Sequence, residues 1–342
     1  MLLLLLQSLR NTKQQRVSMT FPKYVDLIES YLQYSLQHTS MPASLIEPFT
    51  YIMAPGGKRI RPVLCLLAAE AVGGQPEQAV SAGAAVEILH NFTLVHDDIM
   101  DRSPMRRGNP TVHTKWDDST AILTGDVMMA YAYRMLISSL PTQHLYSVLQ
   151  SFTKGFVEVC EGQALDIEFH HRKTVSLDEY IEMIEKKTAR LLELSVVVGA
   201  TLGGGTDTQI ELLRAFAQNI GIAFQIQDDI LDLTADVQEL GKTIGQDIVE
   251  GKKTYLIIRA TELVTKESHK KLLQEFWDNN GVPANRVNEM RLLMEELGVL
   301  NDARAKAQHY FSKAHQDIQQ LPPSNARNLL FDVIEMLNVR KK

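Results

Sequence analysis

The apolar residues of this chain recur three and four positions apart over most of its length. Two sets near opposite ends show the spacing clearly: Tyr24, Leu27, Ile28, Tyr31 and Leu32, and Leu272, Leu273 and Phe276. Because this spacing places side chains on one face of an α-helix, it predicts amphipathic helices. Strictly alternating runs, which are typical of strands, are scarce. The pattern therefore predicts an all-α fold.

Short breaks rich in glycine or proline separate the predicted helices. They occur at Gly73-Gly74, at Pro141, at residues 203–205 and at Pro322-Pro323, and they are typical of loops between helices. Helix N-caps are expected at Ser176, Asp207 and Ser324. The chain has no low-complexity tract and no repeat of solenoid period. We expect one all-α domain over residues 20–342.

The two ends of the chain differ from the rest. Residues 1–19 include five consecutive leucines, which are too few to span a bilayer, and we expect them to form a disordered extension. No later window has 18 uninterrupted apolar residues, so no membrane span is predicted. The basic residues 340–342 are expected to form a solvated tail.

An acidic motif, Asp97-Asp98-x-x-Asp101, follows an apolar stretch. Asp97 and Asp101 lie four residues apart, so a helix places them on one face, where their charges repel. A bare Asp-x-x-x-Asp pattern is common on solvated helices. The apolar approach and the two arginines that follow, Arg106 and Arg107, favour a magnesium site for an anionic ligand.

A basic segment, residues 56–62, precedes another apolar helix and supplies Lys58, Arg59 and Arg61. Cations at a helix N-terminus oppose the helix dipole, so they indicate a bound phosphate, although the Walker spacing is missing. His90 lies seven residues before Asp97, two turns away on nearly the same face, and is a candidate for the same anion. His96 is interpreted as a packing residue.

A second acidic motif, Asp228-Asp229-x-x-Asp232, repeats the spacing of the first at the end of another apolar run. Cations follow it at Lys242, Lys252 and Lys253. Two such motifs in a chain of ordinary acidity are improbable by chance. Two acidic helices facing each other across a cavity would suit several Mg²⁺ ions, because Mg²⁺ favours a few carboxylates together with substrate phosphates. The pair therefore predicts a magnesium clamp for a diphosphate.

Composition excludes some other classes of function. Among 342 residues, 35 are Lys or Arg and 41 are Asp or Glu, so no broad basic face for nucleic acid is expected. Cys65 and Cys160 stand in apolar surroundings without a Cys-x-x-Cys pair or histidines at zinc spacing. This cysteine usage is typical of a reducing cytoplasm.

The motifs together resemble those of the trans-isoprenyl diphosphate synthases. The resemblance extends from about residue 41 to residue 338 and rests on residues 57–62, 97–108, 125–126, 187–188, 224–232 and 241–252. It implies a large antiparallel bundle of helices around a central cavity, and a homodimer. It also implies the Mg²⁺-dependent head-to-tail condensation of isopentenyl diphosphate with dimethylallyl, geranyl or farnesyl diphosphate.

The resemblance further implies a role for each motif residue. Three Mg²⁺ ions bridging the allylic diphosphate would be bound by Asp97, Asp101, Asp228 and Asp232. The same diphosphate would be held by Arg106, Lys187, Lys242 and Lys252. Isopentenyl diphosphate would be held by Lys58, Arg61, His90 and Arg107. The allylic cation would be stabilised by Gln225, the Thr188 hydroxyl and the Lys187 backbone.

Product length depends on what blocks the growing chain below the first acidic motif. Phe92 and Thr93 lie five and four residues before Asp97, roughly 6–8 Å along the helix axis. A bulky Phe92 beside a small Thr93 predicts a floor of middling depth. We expect geranylgeranyl diphosphate, C20, with farnesyl diphosphate, C15, or a longer polyprenyl diphosphate as alternatives.

Two other classes stay open. A class I terpene cyclase shares the first motif and the fold, but it usually has a different second metal motif and no site for isopentenyl diphosphate. A non-catalytic subunit of a heteromeric prenyltransferase typically lacks some of the aspartates or basic residues, all of which are present here.

Overall fold

The computed structural model describes residues 21–54, 57–234 and 245–339. Within these ranges the elements are helices joined by loops, and the strands form one short hairpin, so the all-α prediction is confirmed. None of the described helices is long and apolar enough to cross a membrane. The predicted extension over residues 1–19, Lys242 and the basic residues 340–342 lie outside the described residues.

The elements follow one another in a simple order. The first half contains α1 (Pro22–Gln37), α2 (Ala43–Met53), α3 (Ile60–Ala71), a 3-10 turn (Pro76–Ala79), α4 (Val80–Met100), β1 (Met105–Arg106), β2 (Asn109–Pro110), α5 (Val112–Lys115), α6 (Asp118–Ser139) and α7 (Thr142–His171). The second half contains α8 (Leu177–Ile184), a π-helical turn (Glu185–Ala189), α9 (Arg190–Leu202), α10 (Asp207–Thr234), α11 (Gln246–Val249), α12 (Tyr255–Leu263), α13 (Glu267–Asn279), a 3-10 turn (Ala284–Arg286), α14 (Val287–Glu296), α15 (Val299–Gln319) and α16 (Asn325–Asn338).

Two of the three predicted N-caps are confirmed. Ser176 Oγ accepts a hydrogen bond from the Glu179 backbone N–H, and the Glu179 carboxylate accepts one from the Ser176 backbone N–H. Ser324 Oγ accepts from the Arg327 backbone N–H. The prediction for Asp207 is wrong, because Asp207 is the first helical residue. Thr206 caps the helix instead, in a reciprocal pair with Gln209.

The described residues pack into two compact units. The first comprises the described parts of Met1–Lys154, Glu193–Arg214 and Gln320–Asp332. Inside it α4 packs against α1, α3 and α6, and α2 packs against α6. Its fully buried side chains include Ile28, Phe49, Leu64, Leu66, Leu67, Ile88 and Phe152. The first acidic motif, the basic segment and His90 belong to this unit.

The second unit comprises Gly155–Leu192, Ala215–Gln319 and the described part of Val333–Lys342. Inside it α12 packs against α8, α13, α14 and α15. Its buried core includes Phe169, Ile226, Ile257, Phe276, Met290 and Met294. The second acidic motif and the Lys187-Thr188 pair belong to this unit. That residues 20–342 form a single domain stays a prediction.

Candidate active site

The first acidic motif lies at the C-terminal end of α4. The Asp101 backbone N–H donates to the Asp97 carbonyl over 2.8 Å, so the last turn keeps its helical form up to Asp101. Asp97 is half-buried and Asp101 is exposed. The local structure thus agrees with the predicted placement of these two carboxylates on one face.

The middle aspartate of this motif has a separate role. Asp98 is buried and accepts from Arg106 Nε over 2.8 Å, while Arg106 Nη2 lies 2.7 Å from the same carboxylate oxygen. Burial works against the charge on Arg106, but Asp98 outweighs this effect and raises the arginine pKa. Sequence reasoning assigned Arg106 to the allylic diphosphate and gave Asp98 no role, whereas the structure joins the two residues in a forked ion pair.

A two-residue turn carries the second arginine. Strands β1 and β2 pair antiparallel, and the residues between them, Arg107 and Gly108, have φ values of 51° and 78°. Positive φ at both central positions is typical of the type I′ hairpin turn. Arg107 extends toward the basic segment, since a Cβ added to Gly57 would lie 3.1 Å from Arg107 Nη1. The turn therefore places Arg107 beside the cations of that segment.

A cluster of nitrogen-containing side chains lies near the basic segment. It consists of two guanidinium groups, Arg61 and Arg107, and the imidazole of His90. Arg61 Nη1 lies 3.1 Å from His90 Nε2. Burial, followed by the charges of Arg61 and Arg107, lowers the pKa of His90 well below its usual value. Burial also lowers the pKa of Arg61 to about 10. Among the described residues none offers a partner to the buried Arg61 Nε. The carboxylate that acts on Arg61 and Arg107, that of Glu87, is paired with Arg59, so the cluster suits a bound anion. Lys58, next to it in sequence, is exposed.

Arg59, between these candidate residues, turns away from them into the protein. It is 3% exposed and has the left-handed φ of 47°. Its guanidinium donates to Glu29 over 2.7 Å, to Glu87 over 2.8 Å and to the Met53 carbonyl over 2.8 Å. Arg59 therefore ties α1, α2 and α4 together, and the basic segment is divided between a structural cation and candidate binding cations.

The predicted chain-length residues lie one turn before the first acidic motif. Phe92 is 8% exposed, and its ring lies 4.8 Å from the ring of His96. The Thr93 hydroxyl donates to the His90 carbonyl over 2.8 Å. His96 donates to the Ile122 carbonyl, and a Cβ on Gly125 would lie 2.2 Å from its Nε2. His96 is thus a packing residue, as predicted, and Gly125 leaves room for it.

The second acidic motif ends α10. Asp228 is exposed, Asp229 is buried and Asp232 is half-buried. The Asp232 carboxylate accepts from the Asp247 backbone N–H over 3.2 Å. Burial, together with the nearby Asp247 carboxylate, raises the pKa of Asp229 to about 8 and that of Asp232 to about 7. These carboxylates lie in a region that favours added positive charge.

Lys187 and Thr188 lie in the π-helical turn between α8 and α9. Turns of this kind occur frequently at functional sites. Two glycines let neighbouring helices approach its backbone: a Cβ on Gly162 of α7 would lie 2.3 Å from the Lys187 nitrogen, and one on Gly221 of α10 would lie 2.5 Å from the Ala189 Cα. Lys187 Nζ lies 2.5 Å from the Asp166 carboxylate.

A chain of hydrogen bonds links this turn to the second acidic motif. The Thr188 hydroxyl donates to Gln225 Oε1 over 2.9 Å, and Gln225 Nε2 donates to Asp229 Oδ1 over 3.2 Å. The other Asp229 oxygen accepts from the Tyr180 hydroxyl over 2.6 Å and from the Tyr255 backbone N–H over 3.2 Å. Sequence reasoning missed Tyr180, which has no pattern of its own in the sequence, and assigned no role to Asp229.

After the second acidic motif, the described residues include one predicted ligand of the diphosphate, Lys252. Its Nζ lies 3.2 Å from Asp247 and 3.3 Å from Glu250. The predicted site residues therefore fall into two groups. The first unit contains Lys58, Arg61, His90, Phe92, Thr93, Asp97, Asp101, Arg106 and Arg107. The second unit contains Lys187, Thr188, Gln225, Asp228, Asp232 and Lys252.

The residues fit magnesium by their chemistry. Within the described ranges no three His, Cys, Asp or Glu side chains are arranged as a complete metal site. Mg²⁺ is usually bound by one or two carboxylates, substrate phosphates and water, so a complete protein cage is not required. The candidate ligands are carboxylates only, and the raised pKa of Asp232 indicates a carboxylate whose charge a nearby cation would stabilise.

Known proteins share this sequence and fold. The polyprenyl synthetase family model matches residues 42–293. A short chain isoprenyl diphosphate synthase of Methanothermobacter thermautotrophicus is 36% identical over 93% of this chain and 97% of its own length. A geranylgeranyl diphosphate synthase of Sulfolobus acidocaldarius is 40% identical over 86% of this chain and 88% of its own.

Structural similarity agrees with these matches. The crystal structure of geranylgeranyl pyrophosphate synthetase from Pyrococcus horikoshii superposes with a TM-score of 0.89 at 36% identity, covering 96% of this chain and 99% of that one. The match extends over nearly the whole chain and includes both acidic motifs. It confirms the resemblance drawn from the motifs, and the chain belongs to the polyprenyl synthetase family.

Proposed function

We propose that the protein is a prenyltransferase that joins isopentenyl diphosphate head to tail to an allylic diphosphate. The observation that carries the proposal is the Arg61, His90 and Arg107 cluster, with its buried and unpartnered Arg61 Nε. A terpene cyclase binds one diphosphate and has no use for a second anion site. A synthase binds two, and this cluster supplies the second in addition to the acidic motifs.

The acidic motifs are proposed to bind the allylic diphosphate through magnesium. As in the proteins whose motifs it resembles, Asp97, Asp101, Asp228 and Asp232 would hold three Mg²⁺ ions together with diphosphate oxygens. When bound, the ions neutralise the diphosphate and stabilise the departing pyrophosphate. Lys187, Lys242 and Lys252 would add positive charge, and Arg106 contributes through its ion pair with Asp98.

The reaction would proceed by ionisation, condensation and elimination. The allylic C–O bond breaks, and its electron pair leaves with pyrophosphate. The isopentenyl double bond then attacks the allylic cation, and the resulting cation loses a proton to the released pyrophosphate. Gln225, the Thr188 hydroxyl and the Lys187 backbone are proposed to stabilise the cation with their dipoles, while apolar walls exclude water.

The proposed product is geranylgeranyl diphosphate, C20. Two of the similar proteins described above are named geranylgeranyl diphosphate or pyrophosphate synthases. The bulky, buried Phe92 beside the smaller Thr93 supports a floor of intermediate depth. Farnesyl diphosphate, C15, is the near alternative. The homodimer and the cytoplasmic location that the sequence favours stay predictions.

The test is a product assay with purified protein, Mg²⁺, labelled isopentenyl diphosphate and each of dimethylallyl, geranyl and farnesyl diphosphate. We expect consumption of both substrates and a C20 diphosphate as the main product. A cyclic hydrocarbon formed from the allylic substrate alone would identify a cyclase. Absence of turnover, restored only by a partner chain, would identify a non-catalytic subunit.

Variants connect the activity with the aspartates. Asp97→Ala and Asp228→Ala are expected to lose several orders of magnitude in kcat. Asp26→Ala removes an exposed carboxylate from α1 and is the matched control, with activity near that of the parent protein. Near-normal rates in the first two variants would contradict the magnesium assignment.

A further inference from the structure

We propose that Tyr180 and Asp229 are positioning residues that orient the Gln225 carboxamide and, through it, the Thr188 hydroxyl. In this arrangement the oxygen lone pairs of Thr188, and not its proton, face the developing allylic cation. The inference rests on the proposed function and deepens it, because it explains how two neutral side chains present the correct end of their dipoles to a cation.

The orientation begins at Asp229. This buried carboxylate has three donors around it: the Tyr180 hydroxyl at 2.6 Å, the Tyr255 backbone N–H at 3.2 Å and Gln225 Nε2 at 3.2 Å. The Tyr180 hydroxyl and the Tyr255 N–H donate to one oxygen of Asp229, Oδ2. Gln225 donates to the other oxygen, Oδ1, through its NH₂, and this contact fixes which end of the carboxamide faces Asp229.

The second step is the direction of the Thr188 hydrogen bond. With its NH₂ held at Asp229, Gln225 presents Oε1 to the Thr188 hydroxyl over 2.9 Å. An amide oxygen accepts and never donates, so Thr188 is the donor. Its single hydroxyl proton is thus used inside the protein, and only lone pairs remain on Thr188 Oγ1 for any other group.

The third step is the effect on catalysis. Hydrogen bonds in a chain polarise one another, so the bonds from Thr188 to Gln225 and from Gln225 to Asp229 together increase the negative character of Thr188 Oγ1. Dipoles fixed in advance toward a developing charge stabilise a transition state without reorganisation. If Gln225 were free to turn its amide over, its NH₂ would face Thr188, and the hydroxyl proton would be free to point at the cation.

Tyr180 is the residue that keeps this arrangement in place. It is 2% exposed, its ring contacts that of Tyr255 edge to face at 6.1 Å, and its hydroxyl makes the shortest of the three bonds to Asp229. Tyr180 lies on α8 and is bonded to the second acidic motif at Asp229. We therefore expect its effect on the reaction to pass through Asp229 and Gln225.

The experiment is a double-variant cycle of Tyr180→Phe and Thr188→Val in the full chain, measured as the single-turnover rate of condensation. Each single variant is expected to reduce the rate roughly tenfold, the order of effect of losing a buried hydrogen-bond partner, with the KM of both diphosphates within about twofold of the parent value. The combined variant is expected to be no slower than Thr188→Val alone, because both act on one hydroxyl.

A purely structural role for Tyr180 predicts a different result. The two losses would then multiply in the combined variant, and this outcome, or a Tyr180→Phe rate equal to that of the parent protein, would overturn the inference. Tyr131→Phe is the control. It removes another buried hydroxyl, which is bonded to the Ser35 carbonyl at 2.9 Å in the first unit. Any loss of rate that it causes is expected to multiply with the loss caused by Thr188→Val.

Two further measurements keep the test decisive. If thermal unfolding shows that Tyr180→Phe is not folded, Asp229→Asn replaces it in the cycle. This substitution keeps the shape of the Asp229 side chain and allows the Gln225 amide to turn over. An allylic substrate fluorinated near the reacting carbon should be slowed more in Thr188→Val than in the parent protein, because the variant lacks the dipole that stabilises the electron-poor cation. A parent protein that makes no condensation product would contradict the proposed function itself, which is distinct from failure of the cycle.

Discussion

Arg61 Nη1 lies 3.1 Å from His90 Nε2, and this contact determines which tautomer the histidine adopts. A guanidinium can only donate hydrogen bonds, so Nε2 is the acceptor and the imidazole proton is on Nδ1. Burial and the surrounding arginines lower the pKa of His90 well below its usual value, and the ring therefore stays neutral at physiological pH.

The neutral ring predicts a loss of stability in acid. In the unfolded chain His90 titrates near 6.5, whereas in the fold it resists protonation, so the unfolded state binds more protons as the pH falls below about 7. The parent protein should lose stability between pH 7.5 and pH 5.5 relative to His90→Gln, which keeps an acceptor for Arg61 but does not titrate. Thermal unfolding midpoints of both proteins at pH 7.5, 6.5 and 5.5 measure the difference. Parallel profiles would contradict the assignment.

Two neighbouring cations of the basic segment should have different effects when they are replaced: Arg59 on the stability of the fold, and Lys58 on substrate binding. Arg59→Met leaves Glu87 buried without its main partner and is expected to cost about 3 kcal/mol of unfolding free energy. Lys58→Met removes an exposed charge, so its effect on stability should stay within about 0.5 kcal/mol. We expect Lys58→Met instead to raise the KM for isopentenyl diphosphate. Denaturant unfolding and steady-state kinetics on both variants test this contrast, and equal losses of stability would refute it.

The close approach of α7 to the π-helical turn makes Gly162 sensitive to substitution. A Cβ there would lie 2.3 Å from the Lys187 backbone nitrogen, and we expect Gly162→Ala to cost about 1–3 kcal/mol through overpacking. Because Lys187 and Thr188 must shift, kcat should fall as well. Cys160→Ala, an exposed change on the same helix, is the matched control. Full activity of Gly162→Ala would show that the turn tolerates displacement.

Product length should respond in opposite directions to two neighbouring changes. Phe92→Ser opens the proposed floor, so products longer than C20 are expected. Thr93→Phe fills it, and the main product should shift to C15. Chromatography of the labelled products after phosphatase treatment measures both, with thermal unfolding to confirm that each variant is folded. If both changes leave the distribution as it was, the floor is formed elsewhere.

The sequence predicted the helices well because their apolar spacing is regular. The apolar stretch before Asp97 indicated a helix that places Asp97 and Asp101 on one face, and α4 extends as far as Met100. The Asp207 cap failed because a hydroxyl one residue earlier, on Thr206, forms a reciprocal pair with Gln209. Which of two adjacent polar residues caps a helix depends on the backbone geometry. The capping preference of each residue type does not predict that geometry.

Within the site, the motifs identified the charged residues but not their partners. Asp98 and Arg106 are both motif residues, yet their ion pair depends on the hairpin that folds Arg106 back toward α4. Tyr180 escaped notice because a single tyrosine in an amphipathic helix is typical of a core residue. Its contact with Asp229, 49 positions later in the chain, is a tertiary relationship that local sequence patterns do not report.

The π-helical turn over Glu185–Ala189 makes this part of the chain sensitive to length. A π-helical turn contains one residue more than the same turn of an α-helix. Adding or removing one residue rotates the part of the helix before the turn against the part after it by about 100°. Deleting a single residue there would allow α8 to continue smoothly into α9, yet it would turn Tyr180 away from Asp229. An insertion or deletion of even one residue in this turn should therefore not be tolerated.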